Sequence, residues 1–332
     1  MERKLVSIQR IDRIDPIPDA DRIAKARVMG WDVVVNKTDF CEGDLCVFFE
    51  IDCLLPSSAP WAEFLRPRGF RVKTMRLRGV LSQGLALPTS ILEGDVPAIG
   101  TDVRERLGVV KFEPIVPVGS DVAGPFPEGI PKTDEIRLQS ALGVLHEMRG
   151  VPFAITTKLD GTSTTFYVDA DGVLSACSRN WTLARGDSAQ WRIAERHRLA
   201  EVILRQMAVQ GELCGPGIQK NRLGLPAVEW HVFDAYDARA QRYLDHRELA
   251  AFCAERSLKT VPCEAIVEGQ DAAAFDHSLA HWLTRTAGPY EGTKNRKEGI
   301  VVRPLVTRRS ETLGARLSFK VIDNDFLLTE DD

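Results

Sequence analysis

TTKLDGTS, residues 156–163, stands between two runs of strand-forming residues, FAITT before it and STTFYV overlapping its end. Asp160-Gly161 is a common signal for a two-residue hairpin turn, so the stretch reads first as a surface turn joining two neighbouring strands. The second reading makes Lys158 a covalent nucleophile. A lysine amine, with an ordinary pKa of about 10.4, attacks only when desolvation or a nearby cation lowers that value. The rest of the chain has to supply those surroundings.

Four stretches downstream do so: SRN (178–180), GELCG (211–215), HVFDAYD (231–237) and KEGIVVRP (297–304), the last followed by LSFKVID (317–323). Lys320 offers a neighbouring positive charge and a phosphate contact. Asp160, Glu212 and Glu298 are oxygen ligands of the kind Mg²⁺ accepts, directly or through its waters. Phe233 offers a flat face for a purine base, although an aromatic at such a position is as often core. Arg179 can clamp a phosphate or a ribose. The set reads as a nucleotidyl-transfer site. DADG (169–172) resembles the start of a calcium loop, but its twelfth position is Asn180 rather than Glu, so it reads as a hairpin turn.

Lys158-Leu159-Asp160-Gly161 resembles the first motif of the covalent nucleotidyltransferases, the superfamily of DNA ligases, RNA ligases and mRNA capping enzymes. The stretches around Glu212, Phe233, Glu298 and Lys320 resemble its later motifs, over residues 130–325. FPEGIPKTDEIRLQ (126–139) and SRN are more similar to ATP-dependent RNA ligases, in the Deinococcus-type branch that carries an OB domain in front. The resemblance implies an ATP-dependent RNA ligase that joins an RNA 3′-hydroxyl to a 5′-phosphate, with ATP as AMP donor and Mg²⁺ or Mn²⁺ as cofactor.

It implies that Lys158 takes AMP as a phosphoramidate, and that Asp160, beside Gly161, binds the ribose or a metal-bound water. Glu212 and Glu298 position metal, Arg179 engages the nucleotide, Phe233 stacks on adenine and Lys320 contacts the α-phosphate. It also implies as partner a nicked RNA duplex with an RNA 3′-hydroxyl strand. Many relatives have Lys-x-Lys in the last motif. Here Ser318 stands in the first of those places, and Arg316 is a candidate substitute.

DNA ligases and GTP-using capping enzymes share the first motif but normally carry an OB domain after the last. Only twelve residues follow Lys320, which favours RNA ligase. A non-catalytic RNA-binding protein with a degenerate ligase domain is the remaining alternative. It should lack Lys158 or one of the carboxylates, and all are present.

Upstream, LVSIQRI (5–11), KARVMGWDVVVNK (25–37), DLCVFFEIDCLLP (44–56), FRVKTMRLRG (70–79) and QGLALP (83–88) read as short strands separated by turns. They predict an all-β OB-like barrel, with an SH3-like barrel as the alternative. The expected fold class is α+β: this barrel over residues 1–118, a proline- and glycine-rich linker over 119–130, and an antiparallel-sheet nucleotidyltransferase (ATP-grasp-like ligase) domain over 131–332. In the second half, residues 133–150, 188–208 and 246–257 carry helical patterns.

With 332 residues, 44% of them apolar, the chain can build two cores. The formal net charge of −4 does not advertise nucleic-acid binding for the whole molecule. Residues 66–78, RPRGFRVKTMRLR, however, hold six basic residues and no acid, which makes Arg71, Lys73, Arg76 and Arg78 nucleic-acid-binding candidates. The seven cysteines have no zinc-site spacing and read as free thiols. MERKLVSIQR lacks the apolar stretch of a signal peptide, and no apolar run reaches membrane-spanning length. The expectation is a cytoplasmic monomer.

Overall fold

The computed structural model describes residues 4–112 and 121–328. It divides into two compact units, residues 1–115 with 138–142 and 327–332, and residues 116–137 with 143–326.

In the first unit the strands Val6–Arg10, Leu45–Phe49 and Leu85–Pro88 form one antiparallel sheet, and Arg13–Pro16, Ile23–Val28 and Trp31–Asn36 a second. Period-2 patterning sets the faces: Trp31, Val33 and Val35 are buried while their neighbours are less so. Leu45–Phe49 is covered on both sides. Val47 and Phe49 pack with Leu5, Val6 and Ile8, whereas Cys46 and Phe48 pack with Trp31 and Val33. Burying each such large side chain contributes about 1.5–3 kcal/mol. Thr74–Leu77 and Val80–Gln83 form a hairpin whose turn residues, Arg78 and Gly79, both have positive φ (49° and 79°), as a tight two-residue turn requires.

The second unit holds two sheets. Seven antiparallel strands run in the order Val122–Pro125, Trp181–Leu183, Leu174–Cys177, Thr162–Val168, Met207–Cys214, Glu229–Asp237, Arg242–Tyr243. Five run in the order Ile136–Arg137, Phe319–Ile322, Gly299–Pro304, Phe153–Lys158, Cys263–Val267, antiparallel except for the first pair. Asp169 accepts backbone N–H groups of Asp171 and Val173, so DADG is the hairpin turn expected of it.

Several expectations change. Part of the joint, residues 113–120, lies outside the described residues. The remainder is no free linker, because Val122–Pro125 pairs with Trp181–Leu183 and closes the edge of the seven-stranded sheet. Residues 133–150 are α-helical only over Val144–Glu147, with one 3₁₀ turn over Leu138–Ser140. Ile136–Arg137 instead pairs parallel with Phe319–Ile322, a partner too distant in sequence for a local pattern to show. The pattern over 188–208 breaks at Arg198, which takes positive φ, and Met207–Cys214 is already strand. His246–Glu255 is the helix expected, opened by an Asp245–Glu248 capping box. All seven cysteines are free, and five of them are buried.

Candidate active site

Phe153–Lys158 and Thr162–Val168 do not pair with each other. The first lies in the five-stranded sheet and the second in the seven-stranded sheet. Leu159-Asp160-Gly161 is therefore the point at which the chain crosses between sheets, and the hairpin reading of TTKLDGTS is wrong. Gly161 passes tightly over the neighbouring strand: a Cβ there would collide with the Leu213 carbonyl oxygen and come within 2.8 Å of the Glu212 side chain. A glycine is needed because only it lets the crossing pass this close.

Lys158 ends its strand opposite Gly299. Glu298, one residue before Gly299, accepts a hydrogen bond from Lys158 Nζ at 2.8 Å, with the two side chains 23% and 18% exposed. One strand further, Lys320 lies opposite Val301, which lies opposite Thr156, so Lys320 and Lys158 project from the same face. A Cβ at Gly299 would strike the Val321 carbonyl, so Gly299 lets Phe319–Ile322 approach. Flanking ion pairs hold the Glu298 segment: Lys297 Nζ meets both oxygens of Glu264 at 2.6 and 2.7 Å, and Arg296 Nε meets Asp323 at 2.8 Å. The seven-stranded sheet contributes Glu212, opposite Ser163 and His231.

Electrostatics tie these groups into one site. Burial works against the Lys158 ammonium, but the Glu298 and Glu212 carboxylates outweigh it and hold the pKa above the ordinary lysine value. Burial, together with the charges of Glu298 and Asp160, pushes Glu212 up to about 7 despite Lys158. Asp160 is raised by burial and by Glu298, against the opposing pull of Arg222 and Lys158. Burial, with Lys158 and Arg137 nearby, brings Lys320 down to about 7. Arg179 acts on Lys158, Glu212 and Lys320, and its own guanidinium pairs with Asp134.

Two half-buried carboxylates, raised by burial and then by like charge, form an environment that a divalent cation neutralises, and hard oxygen donors suit Mg²⁺ or Mn²⁺. Among the described residues no three His, Cys, Asp or Glu side chains converge as a ready cage. Asp160, Glu212 and Glu298 therefore fit an ion that keeps waters and phosphate oxygens in its shell, as Mg²⁺ commonly does.

Phe233 sits at an irregularity between Glu229–Asp237 and Met207–Cys214, where the pairing steps from Gly211↔Val232 to Gln210↔Asp234. Such a bulge re-aims a side chain. The ring is half-buried against Leu159, Cys214 and Tyr290. The Arg303 guanidinium lies 5.8 Å from the ring centroid and donates to the Phe233 carbonyl at 2.8 Å.

Sequence reasoning missed Arg303 and its buried partner Glu135, 2.6 Å away. It also missed Arg222, which reaches Asp160 Oδ2 at 3.1 Å from Nε and stacks 4.6 Å over Phe326. The lone arginines carry no spacing signal. Ser318 is buried and accepts from Arg303 Nε at 3.1 Å. Arg316 does not substitute for the absent lysine: it pairs with Asp234 and lies 4.0 Å over Tyr243. In the first unit, Lys73, Arg76 and Arg78 are exposed. Arg71 instead turns to Asp52 at 2.6 Å and lies 3.9 Å over Phe112, so it serves the fold.

A lysine amine gathered with three carboxylates and a second lysine, where two sheets exchange the chain, defines a covalent nucleotidyltransferase. A sequence profile described as RNA ligase matches residues 151–322, and an OB-fold domain profile matches residues 5–89. The chain belongs to the RNA ligase family. It is similar to Naegleria gruberi RNA ligase, solved with PPi, at 32% identity over 99% of both chains with a TM-score of 0.85. A mutant of that enzyme with ATP and Mn matches with a TM-score of 0.86, and another with AMP and Mn with 0.85. Both are 32% identical over 99% of this chain and 100% of theirs. No curated protein sequence matches the chain. Among the described residues no helix is long and apolar enough to cross a membrane.

Proposed function

We propose that this protein seals nicks in RNA duplexes with ATP through a lysyl-AMP intermediate, as a monomer in the cytoplasm. The observation that carries the reading is Lys158, placed at the sheet crossing 2.8 Å from Glu298 and within the fields of Glu212 and Lys320. The Naegleria enzyme's complexes with ATP, AMP, Mn and PPi support ATP as donor and a divalent metal as cofactor.

In the first step, deprotonated Lys158 Nζ attacks the α-phosphorus, a P–N bond forms, and the bond to pyrophosphate breaks. Lys320 and Arg179 offset charge on the phosphates, and Phe233 with Arg303 beside it holds the base. An RNA 5′-phosphate oxygen then attacks the same phosphorus, breaking the P–N bond and returning the amine. Finally the 3′-hydroxyl displaces AMP from the activated end. A divalent cation held by Glu298, Glu212 and Asp160 would offset the Glu298 charge that keeps Lys158 protonated and would stabilise charge on the phosphates.

The test compares ATP, GTP and NAD, each labelled in the nucleotidyl phosphate, as donors, followed by nicks with RNA or DNA on the 3′-hydroxyl side. Acid-stable label on the protein from ATP alone, with faster sealing of the RNA-ended nick, is expected. Label from GTP or NAD, or equal sealing of an all-DNA nick, would overturn the reading.

The exposed Arg76 and Arg78 of the hairpin, with Lys73 just before it, support an RNA contact in the first unit. Reversing all three charges to Glu is expected to weaken RNA binding. It should flatten the logarithmic salt dependence by roughly 0.9 for each duplex phosphate that the hairpin ceases to neutralise, and leave self-adenylylation unchanged. An unaltered binding isotherm across a salt titration would remove the hairpin from the RNA-binding surface.

A further inference from the structure

The pairing between Phe153–Lys158 and Gly299–Pro304 ends at the Lys158–Gly299 rung, because the next residues leave for the other sheet. Beyond that rung the N–H groups of Asp160 and Glu298 are without a ladder partner, and one side chain serves both. Tyr290 Oη accepts from Asp160 N at 3.0 Å and from Glu298 N at 3.1 Å, and donates to the Lys158 carbonyl at 3.2 Å. A phenol has one proton to donate and two lone pairs, so all three capacities are used. Burial raises the phenol pKa and keeps that proton in place.

The ring is 4% exposed and packs with Leu159, Cys214 and Val261. Its own segment is closed by Tyr290 N donating to Asn295 O at 2.9 Å and Lys297 N donating to Gly288 O at 3.1 Å. The backbones that carry the nucleophile and two of the three carboxylates thus meet on a single oxygen.

Building on the adenylyl-transfer reading above, we propose that Tyr290 is a positioning residue, whose hydroxyl sets the registration of Lys158 and Asp160 against Glu298 for attack on the α-phosphorus. It touches neither ATP nor RNA in this role. The contacts assigned to the base and phosphates, from Phe233, Arg179 and Lys320, do not use its hydroxyl, although the Phe233 ring packs on the same apolar cluster. Its loss is therefore read in the rate at saturating ATP and not in ATP affinity. A displacement of about an ångström among reacting groups can cost on the order of 10²-fold in rate.

The experiment is single-turnover self-adenylylation of Tyr290→Phe, normalised to titrated active sites, beside Val261→Ala, which thins the same apolar cluster and keeps the hydroxyl. The expected result is a fall of about 10- to 100-fold in the Tyr290→Phe rate at saturating ATP, with KM for ATP moving less than about three-fold. Val261→Ala should lower Tm and hold its rate within about two-fold. If Tyr290→Phe does not fold, 4-aminophenylalanine at position 290 replaces it. Its nitrogen keeps a donor for Lys158 O but has a single lone pair for the N–H groups of Asp160 and Glu298, so the same fall in rate is expected. A Tyr290→Phe rate within about two-fold of wild type, an equal loss in Val261→Ala, or a 4-aminophenylalanine enzyme at the wild-type rate would each overturn the proposal. Label on the wild type reports on adenylyl transfer, whereas the ratio of variant to wild type reports on Tyr290, so the two failures are distinct.

Discussion

Lys158→Ala is expected to leave no covalent label on the protein after incubation with ATP and divalent metal. Removing a catalytic nucleophile costs on the order of 10⁶-fold, which takes the signal to background. Two nearby lysines, Lys320 in the same sheet and Lys297 just before the strand Gly299–Pro304, do not replace it. Lys320 projects from the same face but lies two strands away, opposite Val301, and Lys297 is held by both oxygens of Glu264. The substitution removes a side chain that is 23% exposed and leaves the backbone pairing with Gly299 in place, so the fold should survive. Such a variant should still join a nick whose 5′ end already carries AMP, because that step needs no amine. Stable label on Lys158→Ala, mapped to any other residue, would sink the assignment. Failure on the pre-adenylylated nick with wild-type Tm would show that Lys158 also acts in the last step.

Glu298→Gln is expected to move two quantities in opposite directions. Burial pushes the Lys158 amine toward neutrality, and Glu298 is the largest of the charges that oppose it, ahead of Glu212. Without the Glu298 charge the largest opposition to burial is gone, with Glu212 and Asp160 remaining, so the Lys158 pKa falls and the free amine becomes available at lower pH. Limited acetylation read by mass spectrometry at Lys158 should therefore reach its plateau at lower pH in the variant than in the wild type. Self-adenylylation should nevertheless collapse by about 10²- to 10³-fold, the usual effect of deleting one preorganised electrostatic group, because the carboxylate also serves the divalent ion. The main chain of Glu298 keeps its bond from Asp323 N at 2.8 Å, so the variant should fold. A Lys158 profile that does not shift, or adenylylation at the wild-type rate in ordinary Mg²⁺, would refute the coupling.

Five of the site's side chains were legible in the order of the chain. Lys158, Asp160, Glu212 and Glu298 each sit at a strand end or beside a glycine, Lys320 lies within the strand Phe319–Ile322, and a reaction of phosphates requires those residue types. The structure places them within one another's fields. Tyr290, Arg222, Arg303 and Glu135 were not legible, because each acts on a residue far away in sequence. Glu135 and Arg303 meet across 168 positions, and no local pattern records such a contact. The helix expected over 133–150 failed for the same reason. Ile136–Arg137 pairs instead with Phe319–Ile322, a partner that no window over 133–150 contains. Arg316 failed as the substitute because it lies before the strand Phe319–Ile322 and turns toward Asp234.

Composition, strand-and-turn punctuation and the ordered motifs were enough to point to a β-rich front half and a nucleotidyltransferase-type second half with Lys158 as its candidate amine. Those properties belong to short windows, where side-chain chemistry and period-2 or period-3.6 patterning act locally. Whether TTKLDGTS turns back on itself or crosses from one sheet to another was decided elsewhere in the chain. Gly299–Pro304 takes the strand before it, and Met207–Cys214, with Leu174–Cys177, takes the strand after it. β-pairing satisfies backbone groups with partners that can be any distance away in sequence, so the choice between a hairpin turn and a catalytic crossing belongs to the assembled sheets.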